Sequence, residues 1–435
     1  TAAGNGFAQI SQSNDLTTDQ NANLLNSCDE SGDGNNDAIC FNFDDFTLFS
    51  YNSIGPISQT NTASDAAQSD TVLQSNGAQV TQDFQAINDC DEENTGFSDV
   101  NCVNFDTPIN NIDSITQTND ATTGGDDTVQ LSFVDVNQHL QLENVCDETG
   151  LGDNSAFCGN NYANSIGPVD QSNTATGSGD ADFTQNNNIP TINQVITAQN
   201  DCDQTDAQSA EGTNFAECGN FSGPSGANNI DSITQTNDAT GTHVDDIFQD
   251  NTGSFSQVMT LNNGCDATTF TDDGDNSAEC SNDDAQNVIG NVNPVFQGNG
   301  ATGGDDVLID QDNILAVSQD LTGNNDCDAT AENSAICTND NVENFIDSIN
   351  QINDATGDDL ASTSQSNEAT IAQTMDLVNS CDESGAGIND AECDSDDATN
   401  FIGPIVQRND VPGADESDAI TQSNVIQITQ NLDGT

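Results

Sequence analysis

Fourteen cysteines are the residues of this 435-residue chain with the clearest chemical potential. They fall as seven pairs: Cys28/Cys40, Cys90/Cys102, Cys146/Cys158, Cys202/Cys218, Cys265/Cys280, Cys327/Cys337 and Cys381/Cys393. Paired cysteines either form disulfides or bind zinc. Zinc is disfavoured, because no Cys-x-x-Cys occurs and the two histidines, His139 and His243, are isolated. Local disulfides within each pair are the simplest reading, and they imply an oxidising compartment. An aspartate follows the first cysteine of every pair: Asp29, Asp91, Asp147, Asp203, Asp266, Asp328 and Asp382. The loop Asp29-Glu30-Ser31-Gly32-Asp33 offers oxygen ligands for Ca²⁺, with Asp29, Glu30 and Asp33 as candidates, but lacks EF-hand spacing. No nucleophile elbow or phosphate-binding loop is present. Carboxylates are so abundant that no acid–base pair stands out. An enzyme is not expected, and no cofactor beyond such cations is implied.

A repeat positions the cysteines. First-cysteine spacings are 62, 56, 56, 63, 62 and 54 residues, the mark of a repeat architecture. Between the pairs runs the pattern apolar-x-Gln-x-Asn-x-small/apolar. It occurs at Gln59/Asn61, Gln117/Asn119, Gln171/Asn173, Gln235/Asn237, Gln297/Asn299, Gln351/Asn353 and Gln407/Asn409, here termed A strands. A longer version adds a second Gln eight residues after the first, as in Gln12/Asn14/Gln20, Gln74/Asn76/Gln82, Gln249/Asn251/Gln257, Gln311/Asn313/Gln319, Gln365/Asn367/Gln373 and Gln422/Asn424/Gln430. These are B strands. Gln130 and Gln138 keep the spacing with Ser132 in place of Asn, and near Gln185, Asn187 and Gln194 it slips by one around Pro190. Residues two apart share one face of a strand, whereas a helix would scatter them. Buried amides need partners, and stacked identical copies supply them as ladders. Such ladders are expected through Gln117, Asn119, Gln235, Asn237, Gln311, Asn313, Gln351, Asn353, Gln365 and Asn367.

The expected fold is all-β: a β-solenoid-like stack of seven repeats of about 60 residues, each with two strands and a disulfide loop. The array divides into an N-terminal half-repeat at 1–27 and repeats at 28–89, 90–145, 146–201, 202–264, 265–326, 327–380 and 381–435. Within-pair cysteine spacing varies from 10 to 16, so the loops are expected to project from the core. Gly55-Pro56, Gly167-Pro168 and Gly403-Pro404 suit bends just before A strands. A row of separate small sandwiches is weaker, because so few apolar groups per repeat bury little core without stacking. There are eight B strands to seven A strands and no distinct capping domain, so open strand edges could template another copy.

The charge is extreme: 74 Asp and Glu against one basic residue, Arg408, for a net charge of −73. That excludes nucleic acid as a partner, since phosphate contacts need cations, and argues against anionic membranes. Self-repulsion on this scale points to high salt or abundant cations. No apolar run reaches transmembrane length. Residue 1 is Thr and no signal-peptide pattern is present, so a secreted mature chain is expected, extracellular or on the cell surface. Low hydrophobicity with high charge also suits disorder, but disordered tails do not keep seven cysteine pairs and a period-two pattern in phase.

In Gln311-Asn313-Gln319 and Gln365-Asn367-Ala369-Gln373 the strands resemble the curlin repeat of curli-type extracellular amyloid fibres. The resemblance covers only the A and B strands. It departs in the longer repeat, the cysteine loops and the missing glycine between Gln and Asn. It implies amyloid-like assembly into a fibre or biofilm matrix. The expected function is a self-assembling extracellular filament, sheath or matrix fibre whose partner is itself, joined end to end. The alternative is a monomeric acidic adhesin or cation-binding surface stalk.

Overall fold

The computed structural model describes the chain apart from residues 1, 5–9, 33–35, 43–50, 66–70, 95–97, 105–108, 125–126, 151–152, 207–212, 223–227, 269–274, 291–293, 305–306, 331, 358–361, 385–389, 413–418 and 435. A few further side chains inside strands, those of Asp29, Glu30 and Cys40 among them, also lie outside the description. All regular structure among the described residues is β, in 29 strands. Every strand pair is parallel and joins equivalent positions of successive repeats, as when Gln74 pairs with both Gln12 and Gln130. The chain is a β-solenoid of seven coils.

Each coil has four strands. A long B strand runs a few residues past the first cysteine, a C strand carries the second, a D strand of three or four residues follows, and the A strand closes the coil. In coil 6 these are Leu308–Thr330, Glu332–Asp340, Glu343–Ile346 and Ile349–Thr356. Coil 1 opens with Ile10–Gly32, and coil 7 closes with Ile405–Asp410. An eighth B strand, Ala419–Gly434, stacks on the seventh. Ala2–Gly4 pairs with the end of the first A strand. The A and B strands form two eight-stranded sheets, while the C and D strands share a third of 13 because Asn154–Ile166 runs through both positions.

The coil is flattened. One B strand faces C, D and A in succession, as shown by the disulfide Cys90–Cys102, the bond from Gln82 Nε2 to Asn52 O (2.7 Å) and that from Asn76 Nδ2 to Asn119 Oδ1 (3.0 Å). The expected projecting loops are narrowed to the residues between the B and C strands, 207–212 and 269–274 among them, which lie outside the described residues. Both cysteines lie on strands with their side chains inside, and Cys90, Cys102, Cys146 and Cys158 are fully buried. The variable spacing falls between the B and C strands, mostly in residues outside those described, and the bridged cysteines keep their places on the strands. The C and D strands were not anticipated, because they are short and lack the Gln-x-Asn pattern.

Alternation decides which side chains go inside. Along Ile115–Thr123 and Thr128–Gly150 every second residue is buried, including Ile115, Val134, Val136, Leu140 and Leu142. Removing each large aliphatic side chain from water stabilises by roughly 1.5–3 kcal/mol. Ile and Val columns fill the middle of the coil, and cysteines with alanines fill its far end. The slip at Pro190 is a bulge. Register shifts between Ile189 and Ile192, exposed Pro190 absorbs the extra residue, and Gln185 and Gln194 both stay in column.

Corners are set by backbone approach. Asp284, Asn341 and Asp397 turn from C to D at φ of 55°, 52° and 53°, where Asn and Asp are tolerated. At the D-to-A corner a Cβ on Gly167 would sit 1.8 Å from Asp113 O, and one on Gly403 1.6 Å from Asp347 O. Glycine is required there by contact with the coil before.

Candidate functional site

The amide ladders run the length of the stack. Gln235 Nε2 donates to Gln171 Oε1 (2.9 Å) and to Asn187 O and Thr252 O (3.2 and 3.0 Å), while its Oε1 accepts from Gln297 Nε2 (2.8 Å). Asn237 Nδ2 donates to Asp250 O (3.0 Å), Asn251 Oδ1 (3.1 Å) and Asn299 Oδ1 (3.0 Å). Asparagines of the A and B strands thus interleave in one double ladder between the sheets. Where Ser132 replaces Asn, its hydroxyl takes the place, accepting from Asn119 Nδ2 and donating to Asn173 Oδ1, both at 3.2 Å. The ten expected residues, Gln117, Asn119, Gln235, Asn237, Gln311, Asn313, Gln351, Asn353, Gln365 and Asn367, all lie in these columns, none more than 1% exposed. Buried amides are tolerable only because each is partnered.

Sequence reasoning missed three further asparagine columns. One runs through Asn88, Asn144, Asn200, Asn263 and Asn325, a second through Asn104, Asn160, Asn220 and Asn282, and a third through Asn110, Asn164 and Asn228. The first two columns hydrogen-bond to each other, as from Asn144 Nδ2 to Asn160 Oδ1 at 2.9 Å. A signal was present: Asn stands two residues before the first cysteine of every pair, and two after the second in all but the last, where Ser395 replaces it.

The cysteines form a column at the opposite end of the coil. Cys90–Cys102, Cys146–Cys158, Cys202–Cys218, Cys327–Cys337 and Cys381–Cys393 are disulfides, each joining the B strand to the C strand. Cys28 is disulfide-bonded as well. Its expected partner, Cys40, lies outside the described side chains. Cys265 and Cys280 correct the expectation. They occupy the paired positions of coil 5 but are buried thiols. Their S–H groups have carbonyl acceptors, Glu279 O at 3.3 Å and Asp326 O at 3.5 Å. Burial, then the contact with Cys280, pushes the Cys265 thiol well up, so it stays protonated and unreactive. Sulfurs of successive coils approach closely, those of Cys146, Cys158 and Cys202 lying within 4.8 Å of one another. Sulfurs joined in disulfides are not thiolate ligands.

The aspartate after each first cysteine also stacks. Asp91, Asp147, Asp203, Asp266, Asp328 and Asp382 pair in sequence on the outer face of the B sheet. Strands stack about 4.8 Å apart, so these carboxylates repel. Burial, then Asp203 and Asp91, pushes Asp147 up to about 6. Asp266 reaches about 6 through burial, then Asp203, Asp328, Asp326 and Asp201. The Ca²⁺ candidates Asp29, Glu30 and Asp33 lie outside the described side chains. Among the described residues His139 pairs with Asp83, 3.1 Å away on the exposed face, and His243 is exposed at a bend, so the histidines are not brought together. Comparison with protein-family models, curated proteins and solved structures finds no match.

Proposed function

We propose that this chain is a self-assembling extracellular structural protein, a filament, sheath or matrix fibre built by end-to-end strand stacking. One observation carries the reading. The same parallel, in-register contact recurs at every coil, and the outermost B strands, Ile10–Gly32 and Ala419–Gly434, each pair on one side only among the described residues. Ala419–Gly434 leaves Ile420, Ile426, Ile428 and Leu432 between 42% and 51% exposed. Such an edge is a template for another strand. The ladder chemistry is that of cross-β assemblies, which supports the curlin-like, amyloid-like reading. Disulfides and the absence of a membrane-spanning helix among the described residues are compatible with secretion. High salt or cations act as partners by screening the net charge of −73. Electron microscopy of the native material in molar salt tests the proposal. Uniform filaments are expected. Isolated rods that never join would replace it with the acidic adhesin or cation-binding stalk.

A further inference from the structure

The ladders have a direction, and glutamine and asparagine ladders run opposite ways. In one glutamine column Nε2 of each coil donates to Oε1 of the coil before: Gln74 to Gln12 (3.1 Å), Gln249 to Gln185 (2.7 Å), Gln422 to Gln365 (2.8 Å). A second column keeps that sense from Gln82 and Gln20 (2.9 Å) to Gln430 and Gln373 (2.7 Å). Asparagines donate forward, Asn14 Nδ2 to Asn76 Oδ1 and Asn367 Nδ2 to Asn424 Oδ1, both at 3.0 Å. Backbone carbonyls, which only accept, fix these senses. Gln249 Nε2 also reaches Gly300 O (2.9 Å), and Asn251 Nδ2 reaches Gly298 O (3.1 Å).

The two end faces are therefore unlike. The last B strand presents Oε1 of Gln422 and Gln430 and Nδ2 of Asn424. The first presents Nε2 of Gln12 and Gln20 and Oδ1 of Asn14. Suppose a second copy lays its first B strand on Ala419–Gly434 in the register that relates all neighbouring B strands. Gln12 then meets Gln422, Asn14 meets Asn424, Gln20 meets Gln430, and each donor finds an acceptor. Ile10 and Leu16 come to lie on Ile420 and Ile426, now 42% and 46% exposed. Two last faces meeting head to head would run antiparallel and break the columns. With Ser423 set beside Ser423, Gln422 faces Asn424, but Gln430 falls beyond the start of the facing strand and its Oε1 has no donor, and buried groups left unpaired in this way are costly.

We infer that copies join head to tail through this one contact, so the filament is polar. The inference rests on the proposed self-assembly and specifies its joint. A heterologous contact of this kind propagates without closing. Ala419–Gly434 stands one level beyond the last C, D and A strands, over a recess of about 460 Å³ lined by Phe401, Ile402, Ile405, Ile426 and Ile428. The joint is thus thinner than an internal layer and is where a filament breaks.

In this register the exposed outer residues Ser13 and Ser423 become neighbours. Ser13→Cys and Ser423→Cys proteins are oxidised in molar salt, separately and mixed, and run on non-reducing gels. Covalent dimers are expected from the mixture and almost none from either variant alone. Dimers from Ser423→Cys alone would mean head-to-head joining and overturn the polarity. Filaments visible by microscopy without any cross-link would overturn this register while self-assembly stands. Monomers in every arm, by sizing, would sink both.

Discussion

The two ends of each coil are held by different interactions, and they tolerate different amounts of sequence drift. At the amide end, Gln and Asn stand two residues apart in every A strand. A hydrogen bond weakens steeply with distance and angle, so the ladder enforces spacing residue by residue. At the cysteine end the separation runs from 10 to 16, yet Cα–Cα distances stay between 6.3 and 6.4 Å. A covalent bridge needs only the two sulfurs in place, and the number of residues between them is free to vary. The amide end is therefore held to one fixed spacing from coil to coil, while at the cysteine end asparagine columns also link successive coils and the bridge closes each coil on itself whatever the number of residues between its cysteines.

The sharpest way to break that division is a charge in the ladder. Gln235→Glu removes the donor to Gln171 and places a carboxylate where the residue is fully buried. An uncompensated buried charge is expected to cost about 4 kcal/mol, read as a shift of the urea midpoint at neutral pH. Protonation restores a donor, so most of the loss should return on acidification. If the variant is as stable as wild type at neutral pH, the ladders do not hold the coils in register.

Removing one bridge is the next test. Cys146→Ala/Cys158→Ala opens a disulfide of sequence separation 12 and should cost about 3 kcal/mol by the chain-entropy estimate. The change should be local. Hydrogen exchange is expected to quicken in Asn154–Ile166 and stay slow in Val169–Gly177, the A strand of the same coil. Equal loss of protection in both would show that the two ends are one cooperative unit.

The same contrast explains what the sequence disclosed. The A and B strands were legible because a period of two, marked by amides that must be partnered, leaves little freedom in where each residue points. Ser132 and the slip at Pro190 did not hide them, since the flanking glutamines kept column. The C and D strands were not legible. Asn287 and Asn344 form a D-strand ladder from strands of only four residues, too short for periodicity to register. Asn104 and Asn160 were marked only by their distance from a cysteine, a spacing that means nothing until the cysteine is known to be inside. The unbonded state of Cys265 and Cys280 had no sequence signal, because both keep the pattern of the other pairs.

Charge gives the smallest effect and separates the ends by degree. Asp266, at the cysteine end, is pushed up to about 6 by burial and then by four aspartates. Asp312, at the amide end, reaches about 6 by burial and then by Asp310 and Asp250. Unfolded, both titrate near 3.8. A carboxyl that holds its proton more tightly when folded adds stability as pH falls from about 6 towards 3.8, and withdraws it as pH rises past 6. The urea midpoint in low salt should therefore climb between neutral pH and pH 5. Asp266→Asn should raise stability at neutral pH by less than about 1 kcal/mol, since the site is half open to solvent. It should also flatten the pH dependence. Asp312→Asn should do the same by less, having fewer like charges around it. Molar salt, with a screening length of about 3 Å, should shrink both gains. Should Asp312→Asn prove the larger, repulsion is concentrated where the coils recognise one another, and the cysteine column does not answer to charge.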